Sequence, residues 1–244
     1  MYRGKSIGVV IPAFNEERYI PRTLGTMPAL VDRIAVVDDG SRDATPCQVV
    51  GAADPRVDLI RHVTNRGVGG AIVTGYRHLL DLGLDVLVVM AGDGQMDPGD
   101  LPALLEPVVN DAADYAKGNR LYHPDTPRVM PGWRLAGNVA LTLLTRLSSG
   151  YPGIVDSQCG YTATRAAVLN RVDLARVYRR YGFPNDLLAH LHTAGARVVD
   201  VEVRPIYEGQ GTGIRPLTAV PAFSWVLARS YLQRLRRELA PCGS

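Results

Sequence analysis

Cysteine is scarce. The 244-residue chain has three, Cys47, Cys159 and Cys242, far apart and without a C-x-x-C pair. That excludes a disulfide-stapled scaffold. With an odd count and no signal-peptide pattern, they read as reduced packing thiols in a cytoplasmic protein. No third histidine or cysteine accompanies His190 and His192, so no zinc site is expected there. Neither sign of charge dominates: 27 Lys and Arg face 24 Asp and Glu, a net charge of +3. This balance excludes the electrostatic footprint of a nucleic-acid binder. Long apolar runs are missing too. Stretches such as 82–91 stop well short of the roughly 20 residues a membrane helix needs. Repeats, low-complexity segments and an obvious linker are also absent.

What is present is globular: 46% hydrophobic and 21% charged residues, with a mean hydropathy of −0.00. Short β-branched runs at 6–14, 34–37, 57–62 and 85–90 read as buried strands. Helical patterns fall between and after them, at 16–30, from about 44, at 67–82 and at 98–110. Strand–helix alternation with short connections implies a parallel sheet covered by helices on both faces. The second half reads as less regular.

Ligands of such sheets sit at the carboxyl ends of the strands. Three polar clusters fall there, at 12–16, 38–43 and 93–97. Asp93, Gln95 and Asp97 alternate along a loop. Hard oxygen donors of this kind suit Mg²⁺ or Mn²⁺ carried by a diphosphate. The same pattern also suits a solvated turn, and Asp97 before Pro98 reads as a helix cap. Asp38 and Asp39 offer acceptors for a nucleobase N–H or a ribose hydroxyl, although D-D-G-S is also common turn chemistry. The segment Asn65-Arg66-Gly67-Val68-Gly69-Gly70 allows close backbone approach to a ligand and aims a helix N-terminus at phosphate. It is neither a Walker A motif nor G-x-G-x-x-G.

Further along, Lys117, Arg120 and Arg134 supply cations. Leu135, Val139, Leu143 and Leu147 recur at helical spacing, with Arg134 and Asn138 together on one face. That face suits a phosphate acceptor, or plain solvent. Asn185-Asp186 opens another helical run and serves equally as its cap. The glycines of 209–216 mark a loop whose Arg215 is placed to close over a diphosphate, or to lie in a surface turn. Residues 217–237 form an amphipathic helix with a basic end. It suits an anionic membrane surface, packing on the domain or a homodimer contact.

In this order the clusters resemble glycosyltransferase family 2, the inverting GT-A fold. The P-A-F-N-E-E, V-V-D-D-G-S-R-D, N-R-G-V-G-G-A, A-G-D-G-Q-M-D-P, G-N-R, R-L-A-G-N and D-S-Q-C-G-Y motifs carry the likeness. The later ones are similar to those of polyprenyl-phosphate (dolichol-phosphate) sugar synthases. The resemblance covers about residues 5–216, and so implies a domain at 1–216 with a basic tail at 217–244. It implies a Rossmann-like nucleotide-diphospho-sugar transferase fold. It also implies a nucleotide-sugar donor, Mg²⁺ or Mn²⁺, and a polyprenyl phosphate acceptor met at the inner face of a membrane.

Carried over by position, Pro12, Ala13, Asn15, Glu16, Asp38, Asp39, Asn65, Gly67 and Gly70 would hold the donor, with Arg215 closing over it. Asp93 and Gln95 would bind metal and diphosphate. Arg120, Arg134 and Asn138 would bind the acceptor phosphate. One position departs: Ala91 stands where the family has its first carboxylate, and the A-G-D-x-Q form favours UDP-sugars over GDP-sugars. Two rival readings stand beside this one. A hydroxyl acceptor would need a general base, for which Asp186 is the candidate. A non-catalytic nucleotide-sugar binder would tolerate Ala91.

Overall fold

The computed structural model describes residues 1–206 and 216–238, with side chains at 1–206, 221 and 223–235. The chain runs β1 (Ile7–Ala13), α1 (Ile20–Gly25), β2 (Arg33–Asp38), α2 (Thr45–Gly51), β3 (Val57–Arg61), α3 (Val68–Asp81) and β4 (Val86–Val89). A 3-10 turn (Pro98–Asp100) then leads into α4 (Leu101–Val109), β5 (Tyr115–Asn119), α5 (Thr126–Val129) and α6 (Gly132–Ser149). The remainder is β6 (Thr162–Arg165), α7 (Ala166–Leu169), α8 (Phe183–Thr193), β7 (Val198–Glu202) and α9 (Pro216–Glu238).

The sheet has the order β3-β2-β1-β4-β6-β5-β7. The first four strands are parallel; β1, β2 and β4 are buried on both faces, in keeping with their β-branched runs, and β3 is a half-buried edge strand. β6 runs antiparallel to both β4 and β5, and β7 returns parallel to β5. Alternate residues of β1 serve two separate cores. Ile7, Val9 and Ile11 face α1, α2 and α4, whereas Val10 faces α3 and α8. The α/β layering with helices on both faces is therefore as the alternation implied.

Local chemistry accounts for the boundaries. The expected helix over 16–30 shortens to α1, which ends at Gly25 ahead of Pro28. Asp97 caps the 3-10 turn, accepting from the Gly99 N–H at 2.8 Å. Gly150, at φ +84°, ends α6 in the left-handed conformation. Asn185 and Asp186 do not cap α8; Gly182 does, and the pair lies inside the first turn.

α6 is built against its hydrophobic pattern. Its buried face carries Asn138, Thr142, Thr145 and Ser149, while Val139, Leu143, Leu144 and Leu147 are exposed. The buried polar groups are satisfied. Asn138 Nδ2 donates to Asp156 Oδ1 at 2.8 Å, Thr142 Oγ1 donates to Ser157 Oγ at 3.1 Å, and Thr145 Oγ1 accepts from Asn185 Nδ2 at 2.5 Å. α6 and α9 pack side by side, and both rest on α8.

Candidate active site

The parallel strands all end on one edge, and two clefts open there. The first, about 850 Å³, lies beyond β1–β3 and is lined by Asn15, Ser41, Arg42, Arg61, Thr64 and Asn65, among others. The second, about 600 Å³, is largely apolar, with Met130, Trp133, Leu141, Tyr181, Phe183 and Phe223 in its wall. Its polar groups include Asp93, Gln95, Arg120, Arg134, Asn138, Gln158 and Arg204. Pro12 lines the second cleft and Phe14 the first, so the end of β1 lies between them.

The first cleft is shaped by turns that lock onto each other. Asn15 sits at φ +58°, takes its N–H to Ser41 Oγ at 2.9 Å and accepts from the Arg42 N–H at 2.9 Å. The Glu16 N–H donates to Thr45 Oγ1 at 2.8 Å. Ala13, the last residue of β1, pairs with Asp38 and is buried.

Both carboxylates of the Asp38-Asp39 pair are buried behind the cleft, where the sequence suggested a direct contact with the nucleoside. Asp38 accepts from the Ser41 N–H at 2.9 Å and from Arg61 Nε at 3.2 Å. Asp39 accepts from the N–H groups of Arg66 and Gly67, each at 2.8 Å, and from His62 Nδ1 at 2.7 Å. An unpaired carboxylate would be costly there, so these bonds explain how two adjacent acids are buried together. Asp39 is thereby a strut for the 65–70 turn.

The glycines of that turn also depart from expectation. They make room for the protein's own chain. A Cβ on Gly67, at φ +86°, would lie 2.5 Å from the Arg179 carbonyl oxygen, and one on Gly69 would lie 2.6 Å from that of Tyr178. Gly70 donates its N–H to the Arg179 carbonyl at 3.0 Å. Asn65 remains at the cleft wall.

The loop after β4 brings Asp93 and Gln95 to the second cleft, with the Gln95 N–H donating to Asp93 Oδ1 at 2.9 Å. Burial raises the proton affinity of Asp93; the Gln95 N–H and the Arg120 charge oppose it. Burial, with the nearby charges of Asp93 and Asp43, pushes the Glu16 carboxyl up to about 7. Glu16 and Asp93 thus form an acidic pair that a cation would relieve. Ala91 beside them adds no oxygen donor from its side chain.

Arg120 and Asn138, the expected acceptor ligands, converge on one buried acid, Asp156. Arg120 donates through Nε to Oδ2 at 2.8 Å and through Nη2 to Oδ1 at 3.1 Å. Burial works to raise the Asp156 carboxyl. Arg120, Lys117 and the Asn138 amide outweigh it and hold the group down to about 2. Asp156 opens the D-S-Q-C-G-Y motif, but its partners come from elsewhere in the chain, Arg120 just after β5 and Asn138 in α6. Lys117, read as one of the cations supplied there, is fully buried and donates to the Cys159 carbonyl. Burial lowers its pKa. Arg134 lines the cleft with its guanidinium 5.5 Å from the Trp133 ring centre.

Asp186, the candidate general base, lies away from both clefts and is 0% exposed. It accepts from the Tyr178 N–H at 2.8 Å and from Ser230 Oγ of α9 at 3.1 Å, with Arg229 at 3.8 Å. Burial works to raise its pKa, but His190, the Tyr178 N–H and Arg229 hold it below the usual carboxylate range. It anchors α9 to α8. Arg215, and the 209–215 loop with it, lies outside the described residues.

A parallel sheet with an antiparallel insertion, a cleft at the β1–β3 ends and an acidic loop after β4 are the fold and layout of a glycosyltransferase of the GT-A type. The sequence pattern of Glycosyl transferase family 2 matches residues 8–172, and the chain belongs to that family. It is 30% identical to a UDP-N-acetylglucosamine–dolichyl-phosphate N-acetylglucosaminyltransferase of Methanococcus voltae, over 83% of this chain and 86% of that one. It is 35% identical to an undecaprenyl-phosphate mannosyltransferase of Micrococcus luteus, over 80% of this chain and 81% of that one. Its fold matches glucosyl-3-phosphoglycerate synthase of Mycobacterium tuberculosis, crystallised with Mn²⁺, UDP and glucosyl-3-phosphoglycerate. That TM-score is 0.68 at 22% identity, covering 95% of this chain and 80% of that one.

Proposed function

We propose that the chain transfers a sugar from a nucleotide-sugar, with UDP favoured, to a polyprenyl phosphate, inverting the anomeric centre. The observation that carries this reading is the second cleft, in which Arg120 and Arg134 stand beside a mainly apolar wall. Such a wall suits a phosphate with a hydrocarbon tail better than a sugar hydroxyl. The named relatives from Methanococcus and Micrococcus act on polyprenyl phosphates, which supports the same acceptor class.

The nucleoside would rest in the first cleft against Asn15, Ser41 and Asn65, with Asp38 and Asp39 holding the turns behind them. Asp93 and Gln95 would hold Mg²⁺ or Mn²⁺, with further oxygens drawn from the donor diphosphate. The bound ion would stabilise charge on the departing nucleoside diphosphate. Arg120 and Arg134 would bind the acceptor phosphate and aim one oxygen at the anomeric carbon. That oxygen forms the new C–O bond as the bond to the diphosphate breaks. A phosphate is already ionised at neutral pH and needs no base. The burial of Asp186 therefore favours this acceptor over a hydroxyl, and Arg215 remains a proposed closing residue over the diphosphate.

The test is a donor screen against a short, water-soluble polyprenyl phosphate, with product mass read directly. UDP release accompanied by a glycosyl phosphate is expected. Release only with sugar or natural-product hydroxyls would overturn the acceptor, and tight UDP binding without any turnover would favour a non-catalytic binder.

A further inference from the structure

α6 turns its apolar side outward. Trp133, Ala136, Ala140, Leu143, Leu144 and Leu147 make one continuous exposed stripe, with Trp133 70% and Leu147 59% exposed. A water-facing helix ordinarily shows the reverse arrangement. Contiguous exposed apolar surface marks an interaction site. α9, packed beside α6, carries a second exposed stripe: Pro221, Trp225, Ala228 and Leu232, at spacings of four, three and four.

Charge identifies the occupant. No Asp or Glu occurs in α6, or in α9 from 221 to 235. Arginines edge both stripes, and three of them lie over aromatic rings. Arg134 is 5.5 Å from the Trp133 ring centre, Arg229 is 5.3 Å from that of Trp225, and Arg234 is 5.6 Å from that of Tyr231. Tryptophan with arginine beside an apolar stripe suits the boundary between lipid headgroups and acyl chains. A second copy docking symmetrically would set this basic rim against itself.

The stripes also adjoin the acceptor cleft. Trp133 belongs to both the α6 stripe and the cleft wall, and Phe223 of α9 lines the same cleft.

We propose that the outward faces of α6 and α9 form a docking surface for an anionic bilayer. The apolar stripes enter the headgroup boundary, and the cleft opens toward the lipid. This inference rests on the acceptor reading above, and it locates the membrane contact on α6 as well as on the tail at 217–244.

Trp133 and Trp225 are the chain's two tryptophans, so tryptophan emission reports on this surface and the cleft mouth it adjoins. The probes are vesicles of brominated phosphatidylglycerol and of brominated phosphatidylcholine, added to the full chain. Strong quenching by the anionic vesicles and weak quenching by the zwitterionic ones is expected. The triple variant Leu143→Gln/Leu144→Gln/Leu147→Gln should keep its melting temperature and bind roughly tenfold or more weakly. No quenching, or quenching unchanged in the triple variant, would overturn the proposal. So would a wild-type dimer that the triple variant converts to monomer with vesicle binding intact, since that result assigns the face to a second copy.

Transfer to the short soluble acceptor separates the two readings. It should survive in the triple variant. Its absence in both proteins, with lipid quenching intact, would sink the acceptor reading and leave the surface standing.

Discussion

The β1–β4 half of the molecule and helix α6 solve burial in opposite ways. In the β1–β4 half, apolar residues are inside, and the acids at the strand ends are held by backbone N–H groups, as Asp39 is by Arg66 and Gly67. In α6, threonines, serines and an asparagine are inside and leucines face out, whereas its neighbour α8 buries Phe183, Leu187, Leu188 and Leu191. There, one buried acid, Asp156, gathers Arg120 and Asn138 from different elements. The first arrangement makes a rigid polar cleft from local turns. The second leaves an apolar surface around an arginine-bearing cleft, and its rigidity depends on a polar core.

The sharpest way to break this contrast is at Asp156. Asp156→Ala leaves Arg120 without its bidentate partner in a buried setting. It should cost about 3–5 kcal/mol in urea unfolding, and misplacement of Arg120 should slow transfer roughly a hundredfold. A loss confined to stability would separate the polar core from the site.

Acid titration tests the same group more gently. The Asp156 carboxyl is held down to about 2, from an ordinary value of 3.8. Its contribution, about 2 kcal/mol, is complete above pH 4 and is lost as the pH falls through 2. The stability gap between wild type and Asp156→Asn should therefore close between pH 4 and pH 2.

Gly69→Ala probes the other half. The new methyl would press on the Tyr178 carbonyl and the Phe183 ring, at 2.6 and 2.7 Å. About 1–3 kcal/mol of destabilisation is expected by thermal melting, with weaker UDP binding by calorimetry, because the Asn65 turn would shift.

The smallest effect is the most diagnostic. Leu143→Gln, apolar to polar within a helix, should change unfolding stability by no more than about 0.5 kcal/mol. A loss of several kcal/mol would mean that the leucine face is packed.

The contrast also explains what could be read from sequence. β-branched runs with short polar breaks were enough for the parallel strands and both helix layers, because burial on two faces leaves an unbroken apolar signature. The motif clusters at 12–16 and 38–43 meet at the first cleft, and the cluster at 93–97 lines the second. Their roles were less legible. Whether Asp39 faces a ligand or an N–H group depends on the path of the 65–70 turn, and Gly67 and Gly69 answer to residues 178–183, more than a hundred positions away. Periodicity placed α6 but not its orientation, since spacing gives the stripe and not what it faces. Antiparallel β6 was not read because T-A-T-R is four residues without an apolar run.

The account rests on phosphate delivery by Arg120 and Arg134 rather than base catalysis by Asp186. The direct measurement is the rate of glycosyl-phosphate formation from UDP-sugar and a short polyprenyl phosphate, compared across wild type, Arg120→Ala and Asp186→Asn. The folded fraction of each protein is fixed by circular dichroism. The account predicts a large loss in kcat/KM for Arg120→Ala and near-wild-type kcat per folded molecule for Asp186→Asn. A loss of roughly 10²–10⁴ in kcat for folded Asp186→Asn, with Arg120→Ala little affected, would contradict it.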